Sequence, residues 1–144
     1  MNNQDCISPD SVETRRAMID TCRLMGEKGF FVGTWGNVSV RTGRGLLVTP
    51  SRLPADEMEP GDMVLVSLSG EKLSGRRLPS SETALHRAVL LEAPWLGALI
   101  HTHSPAVMAL AALRRDLPVC SEEMAQILGG PVRCAAYVPA GHHE

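Results

Sequence analysis

Apolar positions recur at helical spacing from Val12 through Ile19, Cys22 and Met25, and the run stops at Gly26 and Gly29. Just ahead, Ser8-Pro9-Asp10 reads as a helix start, with Pro9 where a missing N–H costs nothing. The period then changes from 3.6 to 2. Asn37–Arg41 alternates polar and β-branched residues, Thr42-Gly43-Arg44-Gly45 offers a turn, and Leu46–Thr49 follows. Together they predict a β-hairpin. Pro50 to Pro60 reads as a loop, and Met63–Leu68 as a third strand closed by Ser69-Gly70.

Further along, Ser80 or Ser81 caps a predicted helix running to about Leu91, with Leu85, Ala88 and Val89 on its inner face. Leu96–Ile100 is a short apolar run, read as a buried strand that delivers His101 and His103. Ser104-Pro105 opens a helix rich in Ala and Leu that ends near Arg114-Arg115. Leu117–Cys120 and Val132–Tyr137 read as strands, separated by an unassigned segment ending at Gly129-Gly130. Helices alternating with strands predict one α/β domain over residues 1–144, its helices covering a sheet.

Composition narrows the partners. With 44% hydrophobic residues the 144-residue chain can bury a core. Lys and Arg total 14 against 16 Asp and Glu, with no basic run, which argues against nucleic acid or an anionic membrane as partner. No apolar run approaches the roughly 20 residues that span a bilayer. Met1–Ser8 lacks the apolar centre of a secretory signal, so the expectation is a soluble, cytoplasmic protein. Cys6, Cys22, Cys120 and Cys134 are scattered without a C-x-x-C pair, and read as small buried hydrophobes or free thiols.

The chemistry-bearing residues fall in four short clusters. In His101-Thr102-His103, positions i and i+2 of a strand share a face, so two imidazoles converge where a divalent ion would accept them. On spacing alone, two histidines hydrogen-bonded to backbone at a strand end are the commoner case, so the pattern by itself is weak. Glu82 follows Ser80-Ser81 at a helix start. There a carboxylate complements the helix dipole, or stands as a base beside an anion held by free N–H groups and the two hydroxyls. Both the helix terminus and a nearby metal favour its ionised form. Gly33-Thr34-Trp35-Gly36-Asn37 allows close backbone approach to a ligand, with Asn37 able to orient a polar group. Thr49-Pro50-Ser51-Arg52 adds hydroxyls and a guanidinium suited to phosphate or carboxylate. Each cluster by itself has an ordinary structural reading.

Their order is more informative than any one of them. Gly-Thr-Trp-Gly-Asn-Val-Ser, then Thr-Pro-Ser, Pro-Ser-Ser-Glu and His-Thr-His-Ser resembles the class II aldolase/adducin family, from the first helix through Tyr137-Val138-Pro139. The resemblance implies an α/β/α layered domain with a mostly antiparallel central sheet covered by helices. It implies His101 and His103 as two of three metal-binding histidines, and Glu82 as the catalytic acid/base that also binds the metal when substrate is absent. Gly36, Asn37, Ser51, Ser80 and Ser81 match positions that bind the substrate, chiefly its phosphate, and Arg52 stands beside them where the aldolases often have glycine.

The implied cofactor is Zn2+ or another divalent metal, and the implied substrate a small phosphorylated sugar or sugar-acid. The implied reaction is that of a lyase, of aldolase or decarboxylase type, through a metal-stabilised enediolate. Epimerisation or dehydration would use the same site, and an adducin-like interaction domain or inactive fragment is the non-catalytic alternative. Family members form symmetric tetramers, so a homotetramer is expected. The family's third metal histidine, in a His-Gly context, has no counterpart before Glu144. The expectation is therefore a domain without its C-terminal elements, in which His142 and His143 are poorly supported substitutes. Glu122 lies roughly where one of the family's aldolases has a tyrosine that reaches a neighbouring subunit's site.

Overall fold

A tight turn organises the centre of the molecule. In the computed structural model, which describes residues 10–138, β1 (Asn37–Thr42) and β2 (Gly45–Val48) pair antiparallel with Val40 opposite Leu47. Gly45 opens β2 at φ 146°, where an added Cβ would stand 2.1 Å from the Val66 carbonyl oxygen, so only glycine fits. β3 (Val64–Val66) joins β2, β4 (Lys72–Ser74) joins β3, and β5 (Ala98–His101) takes the other edge of β1. The order is β4-β3-β2-β1-β5, antiparallel throughout.

Helices cover both faces of this sheet. On one, α1 (Val12–Glu27) packs Met18, Ile19 and Cys22 against Val38, Leu47, Met63 and Leu65. On the other, Leu90 of α2 (Thr83–Glu92) meets Leu46, Val48, Val64 and Val66. This double cover explains why β2 and β3 are buried at every position and read as unbroken apolar runs, which antiparallel strands seldom do. The layered, mostly antiparallel arrangement expected from the sequence is the one observed.

Several boundaries differ from expectation. The start of α1 is capped by Ser11, whose Oγ accepts from the Thr14 N–H at 3.1 Å, while Ser8-Pro9 lies outside the described residues. Val12 is exposed and Met25 half-buried, so Met18, Ile19 and Cys22 carry the helix's contact. Ser11→Ala should lower stability by about 1 kcal/mol in equilibrium urea unfolding. No loss would mean that the first turn is held by other contacts, such as the Arg15–Asp10 ion pair.

The region from Pro50 to Pro60 holds a 3-10 turn at Ala55–Glu57, and a second follows at Pro60–Asp62. Lys72–Ser74 is a strand the sequence reading passes over, being short and polar. β5 is a half-exposed edge strand, not a buried one, and it ends at His101 with His103 beyond it. α3 (Pro105–Ala112) matches its prediction.

The strands expected at Leu117–Cys120 and Val132–Tyr137 reduce to a single bridge between Leu117 and Val132, because no further described chain pairs with either. Between them lies an unpredicted helix, α4 (Glu122–Leu128). Its signals were present: the Ser121 Oγ accepts from the Met124 N–H, and Gly129 closes it at φ 71°. Cys22, Cys120 and Cys134 are free thiols, only the first buried; Cys6 falls outside the described residues. No described helix is long and apolar enough to cross a membrane.

Candidate active site

The site is set up by the polar face of β1. Val38 and Val40 point to the α1 side, so alternation sends Asn37, Ser39 and Arg41 toward α2. That side is not solvent. Asn37 meets Glu82 and His86, Ser39 meets His86, and Arg41 donates to the carbonyls of Leu90, Ala93 and Leu96 at the end of α2. Two strand residues advance about 6.7 Å and four helical residues about 6 Å, so steps of two on β1 stay in register with steps of four on α2. This spacing corrects the predicted inner face of α2. Thr83, His86 and Leu90 are buried, whereas Leu85 and Ala88 are exposed and Val89 is half-buried.

Two loops complete the frame. The Ser80 N–H donates to the Thr49 carbonyl at 3.1 Å, and the Ser51 N–H to the Leu78 carbonyl at 3.0 Å, which joins the Pro50 and Pro79 segments. Upstream, buried Asp62 accepts from the guanidinium groups of both Arg76 and Arg77, anchoring the approach to Leu78. Glu82 occupies the cap position of α2 without bonding the helix by its side chain; the Ser80 Oγ accepts its N–H at 3.2 Å. The carboxylate is left free to point elsewhere.

It points at the histidines. Asn37 and His101 are direct partners in the β1–β5 register, and Glu82 Oε2 lies 2.6 Å from Asn37 Nδ2 and 3.3 Å from His101 Nε2. His103, past the strand, is fixed by donating its N–H to the Phe30 carbonyl at 3.0 Å, with the Trp35 ring 6.0 Å away. Its Nε2 comes within 3.1 Å of His101 Nε2. One donor atom from each of Glu82, His101 and His103 lies within 4.8 Å of the others, the only such cluster of three or more among the described residues.

The donor set fits a divalent cation. Ligands at about 2.0–2.1 Å in tetrahedral geometry stand about 3.3 Å apart, close to the two shorter separations here. Burial pulls the His101 pKa below its ordinary value against the upward pull of Glu82, with His103 acting downward as well. The net direction favours the neutral ring, the form a metal requires.

A cleft of about 490 Å³ opens beside this cluster. Its wall includes Gly36, Asn37, Ser51, Arg52, Ser80, Ser81, Glu82 and His103. Every substrate-binding position expected from the sequence is thus on one surface, with His101 set at its end beside Glu82. Gly36 has φ 102°, and a Cβ there would stand 2.3 Å from the Phe31 ring. Arg52 holds φ 57°, a conformation that glycine adopts freely and other residues rarely. Ser80 already accepts one N–H, leaving its O–H as a donor, while Ser81 is exposed. Glu122 lies outside the cleft at the start of α4, exposed and accepting from Gln126. A larger cleft of about 650 Å³, between α3 and residues 132–138, contains none of the expected site residues.

Sequence reading missed His86 and Ser39. The signal was available: His86 stands four residues after Glu82 on one helical face, and Ser39 two after Asn37 on one strand face.

Comparison with known proteins bears directly on this arrangement. Residues 16–144 match the model of the class II aldolase and adducin N-terminal domain. A 5-methylthioribulose-1-phosphate/5-deoxyribulose-1-phosphate aldolase of Rhodospirillum rubrum is 41% identical over 133 residues, covering 92% of this chain and 60% of the relative. The L-fuculose phosphate aldolase of Escherichia coli is 35% identical over 129 residues, covering 90% and 60%. Among solved structures, an L-fuculose 1-phosphate aldolase superposes with a TM-score of 0.86 at 30% identity, covering 92% of this chain and 63% of that one. The chain therefore spans about 60% of the length of the curated relatives it matches.

Proposed function

The chain belongs to the class II aldolase and adducin family, and from that premise we propose that it carries the metal, base and phosphate-binding part of a lyase site for ketose 1-phosphates. The observation that carries this reading is the convergence of Glu82, His101 and His103 at one end of a cleft lined by Ser51, Arg52, Ser80 and Ser81. The relatives' names supply the substrate class: fuculose phosphate, 5-deoxyribulose 1-phosphate and methylthioribulose 1-phosphate share a ketose bearing a terminal phosphate.

His101 and His103 would hold a divalent cation, Zn2+ or another metal that accepts imidazole nitrogen, and Glu82 would complete the set until substrate enters. A bound cation of this kind supplies Lewis-acid polarisation of the substrate's carbonyl. The chain's own groups do the rest. The hydroxyls of Ser51, Ser80 and Ser81, the guanidinium of Arg52 and the backbone at Gly36 would take the phosphate at one end of the cleft. That places the carbon next to the ketone beside Glu82, which moves the proton there. Asn37, donating to Glu82 Oε2, keeps the carboxylate turned toward the substrate.

The test is direct. Protein stripped with EDTA and reloaded with Zn2+ should take up close to one ion per chain, and His101→Ala/His103→Ala should take up none. The loaded protein should release dihydroxyacetone phosphate from 5-deoxyribulose 1-phosphate, read by coupled NADH oxidation, and the stripped protein should not. Zinc uptake without cleavage of any ketose 1-phosphate would reject the lyase reading and leave the metal site. Failure of the wild type to take up zinc would reject the site itself.

A further inference from the structure

Behind Glu82 runs a line of hydrogen bonds into the core. Glu82 Oε2 meets Asn37 Nδ2 at 2.6 Å, Asn37 Oδ1 meets His86 Nε2 at 2.5 Å, and His86 Nδ1 meets Ser39 Oγ at 2.6 Å. His86 is 2% exposed, Ser39 0% and Asn37 6%, so all three are buried. No described buried side-chain polar atom lacks a partner.

The direction of every bond follows from one end. An ionised carboxylate only accepts, so Asn37 must turn its NH2 toward Glu82 and its Oδ1 toward His86. His86 Nε2 must then carry the proton, which leaves Nδ1 as a lone pair, and the Ser39 hydroxyl must donate to it. Burial holds the His86 pKa down to about 4, with His101 acting the same way against Glu82, so the ring carries one proton rather than two. With two protons the ring would have no lone pair for Ser39, and the line would break at its inner end.

We propose that His86 is a positioning residue: held in its Nε2–H tautomer by Ser39, it fixes which end of the Asn37 amide faces Glu82, so that the carboxylate always meets an N–H. The inference rests on the reading of Glu82 as a working carboxylate beside a metal. Both ring nitrogens are committed to opposite partners on β1, and an apolar ring would leave Ser39 and the Asn37 amide oxygen buried without partners.

Two substitutions separate positioning from bulk. His86→Gln keeps a polar group near the Nε2 position, facing Asn37. His86→Asn keeps one near the Nδ1 position, facing Ser39, and loses the reach to Asn37. In competition titrations with Zn2+ and a chromophoric chelator, His86→Gln should stay within about fivefold of wild type, while His86→Asn should weaken binding by about 10-fold or more, since it frees Asn37, the group bonded to Glu82, and losing a partner behind a metal ligand costs about 10–100-fold. Circular dichroism and urea unfolding of the metal-free variants record whether each is folded.

The tautomer provides a readout independent of metal. Long-range proton–nitrogen NMR correlation on the metal-free wild type should find His86 protonated at Nε2. An Nδ1–H tautomer, or folded Gln and Asn variants that bind Zn2+ equally, would overturn the proposal. If His86→Asn does not fold, the tautomer decides. If the wild type binds no Zn2+, the metal-site reading fails, and the tautomer alone still decides whether His86 sets the Asn37 amide.

Discussion

Glu82→Gln should lower the turnover of a ketose 1-phosphate by about 10²–10⁴-fold, the range a positioned proton-transfer group contributes, while KM changes by a few-fold at most. The substitution is nearly isosteric, and glutamine's carbonyl oxygen can still accept from Asn37 Nδ2, so the geometry around the cap of α2 should persist. What disappears is the basicity. The carboxylate is also not part of the helix cap, since Ser80 Oγ accepts the Glu82 N–H and the Glu82 side chain bonds nothing in α2. Unfolding free energy should therefore move little. Steady-state kinetics on zinc-loaded protein, with zinc content measured in the same samples, separates two ways of losing activity. Full zinc occupancy with collapsed kcat identifies Glu82 as the proton carrier. Proportional loss of zinc and kcat would assign it to the metal instead, and turnover within a few-fold of wild type would remove it from the chemistry.

The sequence carries the site's membership more clearly than its geometry. Gly36, Asn37, Ser51, Arg52, Ser80, Ser81 and Glu82 occur in three separate stretches, and the cleft they line depends on the loop pairing at Pro50 and Pro79, which no local pattern announces. The hairpin was legible because its turn, its glycine and its alternation agree. The inner face of α2 was not. Hydrophobicity favours Leu85 and Val89, yet the face that packs is Thr83-His86-Leu90, because β1 presents Asn37, Ser39 and Arg41 to it. A polar strand face is ordinarily taken for solvent exposure, so a buried polar match between strand and helix is invisible to a hydrophobic count. α3 illustrates the reverse: eight residues without a charge, none of them buried among the described residues. The false strands at 117–120 and 132–137 share that origin. Apolar, β-branched stretches predict pairing only where a partner strand exists, and between Leu117 and Val132 there is one bridge.

Acidification should destabilise the metal-free fold well above the pH at which carboxylates protonate, and His86 should be the main cause. Its ring is buried to 2% exposure, and burial, joined by His101 and opposed by Glu82, lowers its pKa from 6.5 to about 4. Between those two values the unfolded chain holds a proton that the folded chain does not, so the proton favours unfolding. Stability from this group is complete above pH 6.5 and falls as pH drops toward 4. The loss is about 2 kcal/mol at pH 5 and on the order of 3 kcal/mol below pH 4. His101, shifted in the same direction by burial, adds to the slope. Asp62 acts lower on the scale: burial pushes its carboxyl up, but Arg77, the Glu59 N–H and Arg76 together hold it below the ordinary carboxylate value, so its contribution goes only as pH falls through that range. Urea unfolding of EDTA-treated protein at pH 7.5 and 5.0 reads the histidine window by itself. Wild type should lose about 2 kcal/mol or more across it, and His86→Gln, which has nothing to titrate there, should lose less by about that amount. Equal losses in the two proteins would mean that His86 takes up its proton within the fold, and that burial does not hold its pKa below the unfolded value.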